Sequence, residues 1–155
     1  MVLSDAAQAI ARLPRQPVAA GVGDSPGLLP LRSTPLANWT FLGRLPGLEL
    51  DGRTAIAARA FDHDRGALLT LEEFHDLRSP GAAIVRIGEL ANARVGSHPA
   101  RLWIQRVPDG DAATRLHWVT DRAAYTLVLH DDVDHPRRPQ WSREWLLDLA
   151  ASLRT

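Results

Sequence analysis

The stretch from Gly96 to Leu153 constrains the fold most, because it reads as three short strands followed by one helix with marked ends. Arg101–Val107 and Thr114–Val119 flank Pro108, Asp109, Gly110 and Asp111, a composition that favours a turn between paired strands. A second turn at Asp121 and Arg122 leads into Ala124–His130. Tyr125, Leu127 and Leu129 fall on one face of that strand, and Leu116 and Trp118 on one face of its neighbour, so one side of the sheet is apolar. Pro136 and Pro139 block an earlier helix start, Ser142 suits the N-cap, and Trp141 with Leu146 occupy the two positions of a hydrophobic staple. Trp145, Leu149 and Leu153 then recur every four residues beside Leu146, a stripe that predicts packing on the apolar face of the sheet. The expected class is α+β: an antiparallel sheet of about six or seven strands in hairpins, backed by a C-terminal helix, with an irregular N-terminal arm.

Upstream the pattern is less regular. Residues 4–13 suit a short helix capped by Ser4 or Asp5, with Ala7, Ile10 and Ala11 along one side. From Pro14 to Pro35 repeated Pro and Gly forbid a long regular element, so residues 1–35 are expected to form an arm or linker and residues 36–155 the folded domain. Trp39–Arg44 suits a first strand. Thr54–Phe61 and Ala67–Phe74 suit a hairpin around a polar tip, although the alanines of the first arm also favour helix. Residues 82–95 fit strand or short helix, with strand preferred near Leu90–Val95.

Composition removes several classes of function. At 155 residues and 45% hydrophobic, the chain has enough apolar material for one core. Eighteen basic and eighteen acidic residues leave no global field to attract nucleic acid. The absence of cysteine excludes disulfides, thiolate metal sites and cysteine nucleophiles. The opening residues lack a basic leader before an apolar core, and no apolar run approaches the roughly 20 residues that span a bilayer, so membrane attachment is expected only through segments outside this chain.

The motifs that could carry chemistry each meet a simpler alternative. Asp62 to Glu73 has the length of a calcium-binding loop, but Gly66 falls at position five, where a ligand belongs, and Ala67 at the turn glycine; a polar hairpin tip is preferred. His130, Asp132, Asp134 and His135 could hold a divalent cation, since alternate residues of an extended segment point the same way. The segment lies between a strand and a helix and is followed by Pro136, Arg137, Arg138 and Pro139, so a solvated acidic loop paired locally with Arg137 and Arg138 is preferred. No GxSxG, GxGxxG or P-loop motif occurs, and Glu72 and Glu73 should point to opposite faces of a strand rather than form a paired-acid site. No cofactor is expected. Of the five tryptophans, Trp118 and Trp145 are expected in the core, whereas Trp39 and Trp103, with Arg101, are candidates for a ligand or partner surface.

The pieces NWTFLGR from Asn38, AARAFDHDRGALLTLEEF from Ala57, ARLWIQ from Ala100, RLHWVTDRAAYTLVLH from Arg115 and SREWLLDLAASL from Ser142 follow one another in an order that resembles a known group. That group is the extracytoplasmic sensor domains of membrane-bound anti-sigma factors and related sigma-regulatory proteins, similar in fold to periplasmic lipoprotein carriers. The resemblance spans about two thirds of the chain and rests on apolar patterns. It implies a non-enzymatic domain of the bacterial cell envelope that binds a protein partner or an apolar ligand on its sheet. No membrane span and no Cys/His anti-sigma domain lie within these residues. A small metal-binding protein or hydrolase using His130, Asp132 and Asp134, with His63 as a further candidate, is the alternative from the residues themselves. A soluble cytoplasmic interaction module is a third.

Overall fold

The computed structural model describes residues 16–17, 28–31, 34–45, 49–50, 53–54, 56–62, 68–75, 88–106, 112–131 and 143–153. Its strands are β1 (Gln16–Pro17), β2 (Thr40–Leu45), β3 (Glu49–Leu50), β4 (Arg53–Thr54), β5 (Ile56–Asp62), β6 (Leu68–His75), β7 (Ala93–Val95), β8 (His98–Arg106), β9 (Ala112–Val119) and β10 (Ala123–Asp131). The chain closes with helix α1 (Arg143–Ser152). β3 and β4 form a separate small ribbon; the main sheet runs β2-β5-β6-β10-β9-β8-β7, with the two-residue β1 on the outer edge of β2. All pairs are antiparallel. After β6 the chain reappears at the far edge as β7 and returns through β8 and β9, so that β10 pairs with β6. The α+β class and the antiparallel sheet with its C-terminal helix are therefore as the periodicity predicts.

The alternation of side chains explains the layers. Tyr125, Leu127 and Leu129 of β10 lie opposite Glu73, Leu71 and Leu69 of β6 and, on the other side, Trp118, Leu116 and Thr114 of β9. These positions share one face, and nearly all of them are buried with Phe61 and Phe41 and with Leu146, Leu149, Ala150 and Leu153 of α1. The helical stripe thus meets the apolar sheet face. Leu153 N–H closes the helix on the carbonyls of Leu149 and Ala150. At the turn between β9 and β10, Thr120 Oγ1 accepts from the N–H groups of Arg122 and Ala123. Two glycines are required by the backbone. Gly96, at φ 56°, makes the tight turn from β7 to β8, and Gly43, at φ 140°, sits at the bulge where β2 slips register against β5.

Several local expectations are corrected. The boundary expected near Leu36 does not mark the edge of the core, because Leu28, Leu29 and Leu31 are buried and Gln16–Pro17 pair with β2. Pro and Gly prevent regular structure, but they do not prevent an extended strap from burying leucines at about 1.5–3 kcal/mol each. Trp39 precedes rather than occupies the first strand: it ends a 3-10 turn over Pro35–Asn38, and its N–H donates to Leu36 O. The hairpin expected over residues 54–61 and 67–74 is present as β5 and β6, since pairing of β5 on both sides with β2 and β6 outweighs alanine's helix propensity. Near Leu90 the chain forms a 3-10 turn, Gly88–Leu90, and strand begins only at Ala93. The expected helix at 4–13, the caps Trp141 and Ser142, and the turn at 108–111 lie outside the described residues.

Candidate binding face

The two sheet faces hold polar groups for different reasons. On the core face, Arg59 of β5 and Glu73 of β6 form an ion pair with both side chains at 0% exposure, Arg59 Nη2 donating to Glu73 Oε2. Leu29 completes the arrangement: its N–H donates to Glu73 Oε1 at 2.8 Å, and its carbonyl accepts from Arg59 Nη2 at 2.8 Å. Two charges in an apolar interior must be paired and hydrogen-bonded, and here they fix the backbone of the strap from both sides. His75 Nε2 lies 3.1 Å from Glu73 Oε1, and its ring meets the edge of Tyr125. Burial and then the Glu73 carboxylate push the Tyr125 phenol up to about 12, against the opposing pull of Arg59. The group is a buried latch rather than an exposed reaction centre. It also corrects the calcium-loop possibility, because Glu73, the residue required at position twelve, faces the core and is bound to Arg59.

The other face carries the residues that remain accessible. Glu72 lies there, opposite in direction to Glu73 as strand geometry requires. Register aligns Glu72, Thr126, His117 and Arg101 across β6, β10, β9 and β8, and the next row aligns Thr70, Val128, Arg115 and Trp103. Desolvation raises the Glu72 carboxyl above its usual range, partly offset by the charge of Arg115. Desolvation lowers His117, whose Nδ1 is 3.1 Å from Thr126 Oγ1. The centre of this face is tightly covered: Val128 and Ala113 are each 1% exposed. Its β8 end is not, since Arg101 and Gln105 are exposed and Trp103 is half-buried.

Of the residues expected to form a surface, Arg101 and Trp103 are brought together, with the guanidinium carbon of Arg101 5.1 Å from the Trp103 ring centroid. Strand alternation places them on the same face, and the cation lies over the ring. Trp39 is corrected to the core: it is 6% exposed and stacks on Trp145 at 5.9 Å. Its position in the chain, between proline and strand, gave no sign that α1 would cover it. His130 lies on the second face, 3.4 Å from Thr70 Oγ1, whereas His63, Asp132, Asp134 and His135 are outside the described residues. Among the described residues no group of three His, Cys, Asp or Glu side chains could hold a metal ion.

Three further residues were not singled out by sequence. Arg115 is half-buried on this face, and its Nε makes no hydrogen bond to any described residue. Asn92 donates from Nδ2 to Leu102 O at 2.7 Å and accepts from Leu102 N–H on Oδ1 at 2.8 Å, binding the edge of β8 as a strand would. Ile104, two residues on, is 50% exposed. A signal was present: residues 93–106 and 112–119, the whole of β7, β8 and β9, contain Arg94, Arg101, Arg106 and Arg115 and not one Asp or Glu. In a chain with equal numbers of acidic and basic residues, that local excess is what composition over the whole length conceals. Compared with known proteins, the chain matches no family model, no curated protein and no solved structure.

Proposed function

We propose that this chain is a non-catalytic regulatory binding domain of the bacterial cell envelope, engaging a protein partner at the β7–β8–β9 end of its sheet. The observation that carries the proposal is Arg101 laid over Trp103 at an exposed end of the sheet where residues 93–106 and 112–119 include no Asp or Glu. Arg and Trp dominate binding energy at protein interfaces because each couples a large contact area to a directional polar group. A protein partner fits better than an apolar ligand, because the apolar face of the sheet is filled by α1 and by Leu29 and Leu31 of the strap. Assignment to the envelope and to signalling follows from the resemblance to anti-sigma sensor domains.

The test is site-specific photo-crosslinking from Gln105 in the native bacterium. Arg101→Glu and Trp103→Ala are expected to abolish the same crosslinked protein, Arg101→Glu with the melting temperature nearly unchanged because Arg101 is exposed, and Trp103→Ala with only a modest fall because Trp103 is half-buried. Crosslinks that persist in both variants overturn the site. Recovery of the protein wholly from the cytoplasmic fraction overturns the envelope assignment.

A further inference from the structure

The described residues close the edge of β8 only in part. β7 pairs with His98, Pro99 and Ala100, and the Asn92 side chain then takes both the N–H and the carbonyl of Leu102. Those two Leu102 groups therefore point away from β9. Backbone direction alternates along an antiparallel strand, so the N–H and carbonyl of Ile104 point to the same outer edge. β7 is the last strand of the sheet on this side, and no described residue bonds these Ile104 groups. The opposite edge is treated differently: β1 covers Thr40 and Phe41, and the bulge at Phe41/Gly43 interrupts β2 just beyond. A bulge discourages strand addition, whereas a regular edge with free backbone groups invites it.

The side chains at this edge fit an occupant. The two large apolar side chains exposed among the described residues are Leu90, at 45%, and Ile104, at 50%. Leu90 stands two residues before Asn92 and Ile104 two residues after Leu102, and because β7 and β8 are antiparallel both positions lie on the same side of the Asn92–Leu102 clamp. On the other face of the same strand lie Arg101 and Trp103, with Arg115 one strand inward. A strand added beside Ile104 would place alternate side chains against Ile104 on one face and against the Trp103–Arg101 pair on the other.

We propose that the free edge of β8 around Ile104 takes an extended acidic segment of a partner protein as an added strand. This rests on the binding role proposed for the Arg101–Trp103 end of the sheet and gives it a mode. The backbone of Ile104 supplies a donor and an acceptor, Ile104 contacts an apolar side chain, and Arg101 pairs with a carboxylate on the opposite face. The charge of β7, β8 and β9 selects the occupant. These strands carry four arginines and no carboxylate, so a second copy of the chain would bring cation to cation, while an acidic segment meets the charge it lacks.

The test uses the full chain and a short synthetic peptide alternating Glu with Val and Thr, with its Glu-to-Lys counterpart as control. The acidic peptide is expected to bind saturably, to weaken with added salt and to shift the Ile104 amide resonance, whereas the basic peptide does not bind. Ile104→Pro removes the outward-facing N–H together with the isoleucine side chain and keeps the ladder to β9, so the fold should survive, and acidic-peptide affinity should fall by about tenfold or more. Ile104→Thr, which keeps that N–H, should bind more tightly than the proline variant. Binding lost in Arg101→Glu but unaltered in Ile104→Pro overturns strand addition while leaving the surface intact. No binding of the acidic peptide overturns strand addition, and the crosslinking test then decides the surface separately. Concentration-dependent dimerisation abolished by Ile104→Pro assigns the edge to a second copy and overturns the acidic occupant. Binding of a single-stranded DNA oligonucleotide in place of the peptide, indifferent to Ile104→Pro, overturns it as well.

Discussion

Neighbouring glutamates show how far a single position depends on the face it occupies. Glu73 is buried with Arg59 and accepts from Leu29, whereas Glu72 points to the other face, where desolvation disfavours its charge. Glu73→Gln leaves the Arg59 charge uncompensated in the interior, and urea unfolding should report a loss of about 3–5 kcal/mol. The same change at Glu72 should be neutral or slightly stabilising at neutral pH, because it removes a carboxylate that the fold holds above its usual range. Tyr125 gives a pH prediction that can be assigned without ambiguity, since it is the chain's one tyrosine. Its folded pKa is raised from 10.0 to about 12, so the associated stability is full below pH 10 and is lost as pH rises toward 12. The melting temperature should fall across that window, phenolate absorbance should appear with unfolding, and Tyr125→Phe should remove this contribution to the alkaline loss.

At the scale of elements, periodicity was a reliable guide wherever one face packs and the other does not. The odd positions of β10, the even positions of β9 and the stripe of α1 all enter the core as their spacing predicts. Leu149, 3% exposed beneath the sheet, carries the test: Leu149→Asp should cost more than about 4 kcal/mol, because it buries an unpaired charge in a packed interior. Unchanged thermal melting in that variant would remove the packing of α1 on the sheet. The strap from Leu28 to Leu31 was not legible in this way. It has neither a period of two nor of 3.6, and its burial depends on a carboxylate 44 residues and a guanidinium 30 residues away in sequence. The candidate site divides similarly. Arg101 and Trp103 were readable as alternate residues of one strand, but Trp39 was not readable as core, since the ring that stacks on it, Trp145, belongs to the last helix.

For the whole molecule, the latch makes the strap part of the domain rather than a tether to it. A chain truncated to begin at Leu36 loses three buried leucines and both backbone partners of the Arg59–Glu73 pair. At about 1.5–3 kcal/mol for each leucine, that loss is comparable with the lower part of the roughly 5–15 kcal/mol by which ordinary domains are stable. The truncated chain should therefore show no cooperative thermal transition, and a well-folded product would overturn the structural role of the strap. By itself the sequence determined the α+β class, the hairpins and the inward side of each strand and of α1, because those follow from local backbone geometry and the spacing of apolar residues. Tertiary structure alone decided that β10 would return to β6, that a proline-rich strap would be held by a buried ion pair, and that among the described residues none would pair with the outer edge of β8 at Ile104. Each of these is a choice of partner between segments distant along the chain, and such a choice depends on how the whole chain closes its core, which no local pattern records.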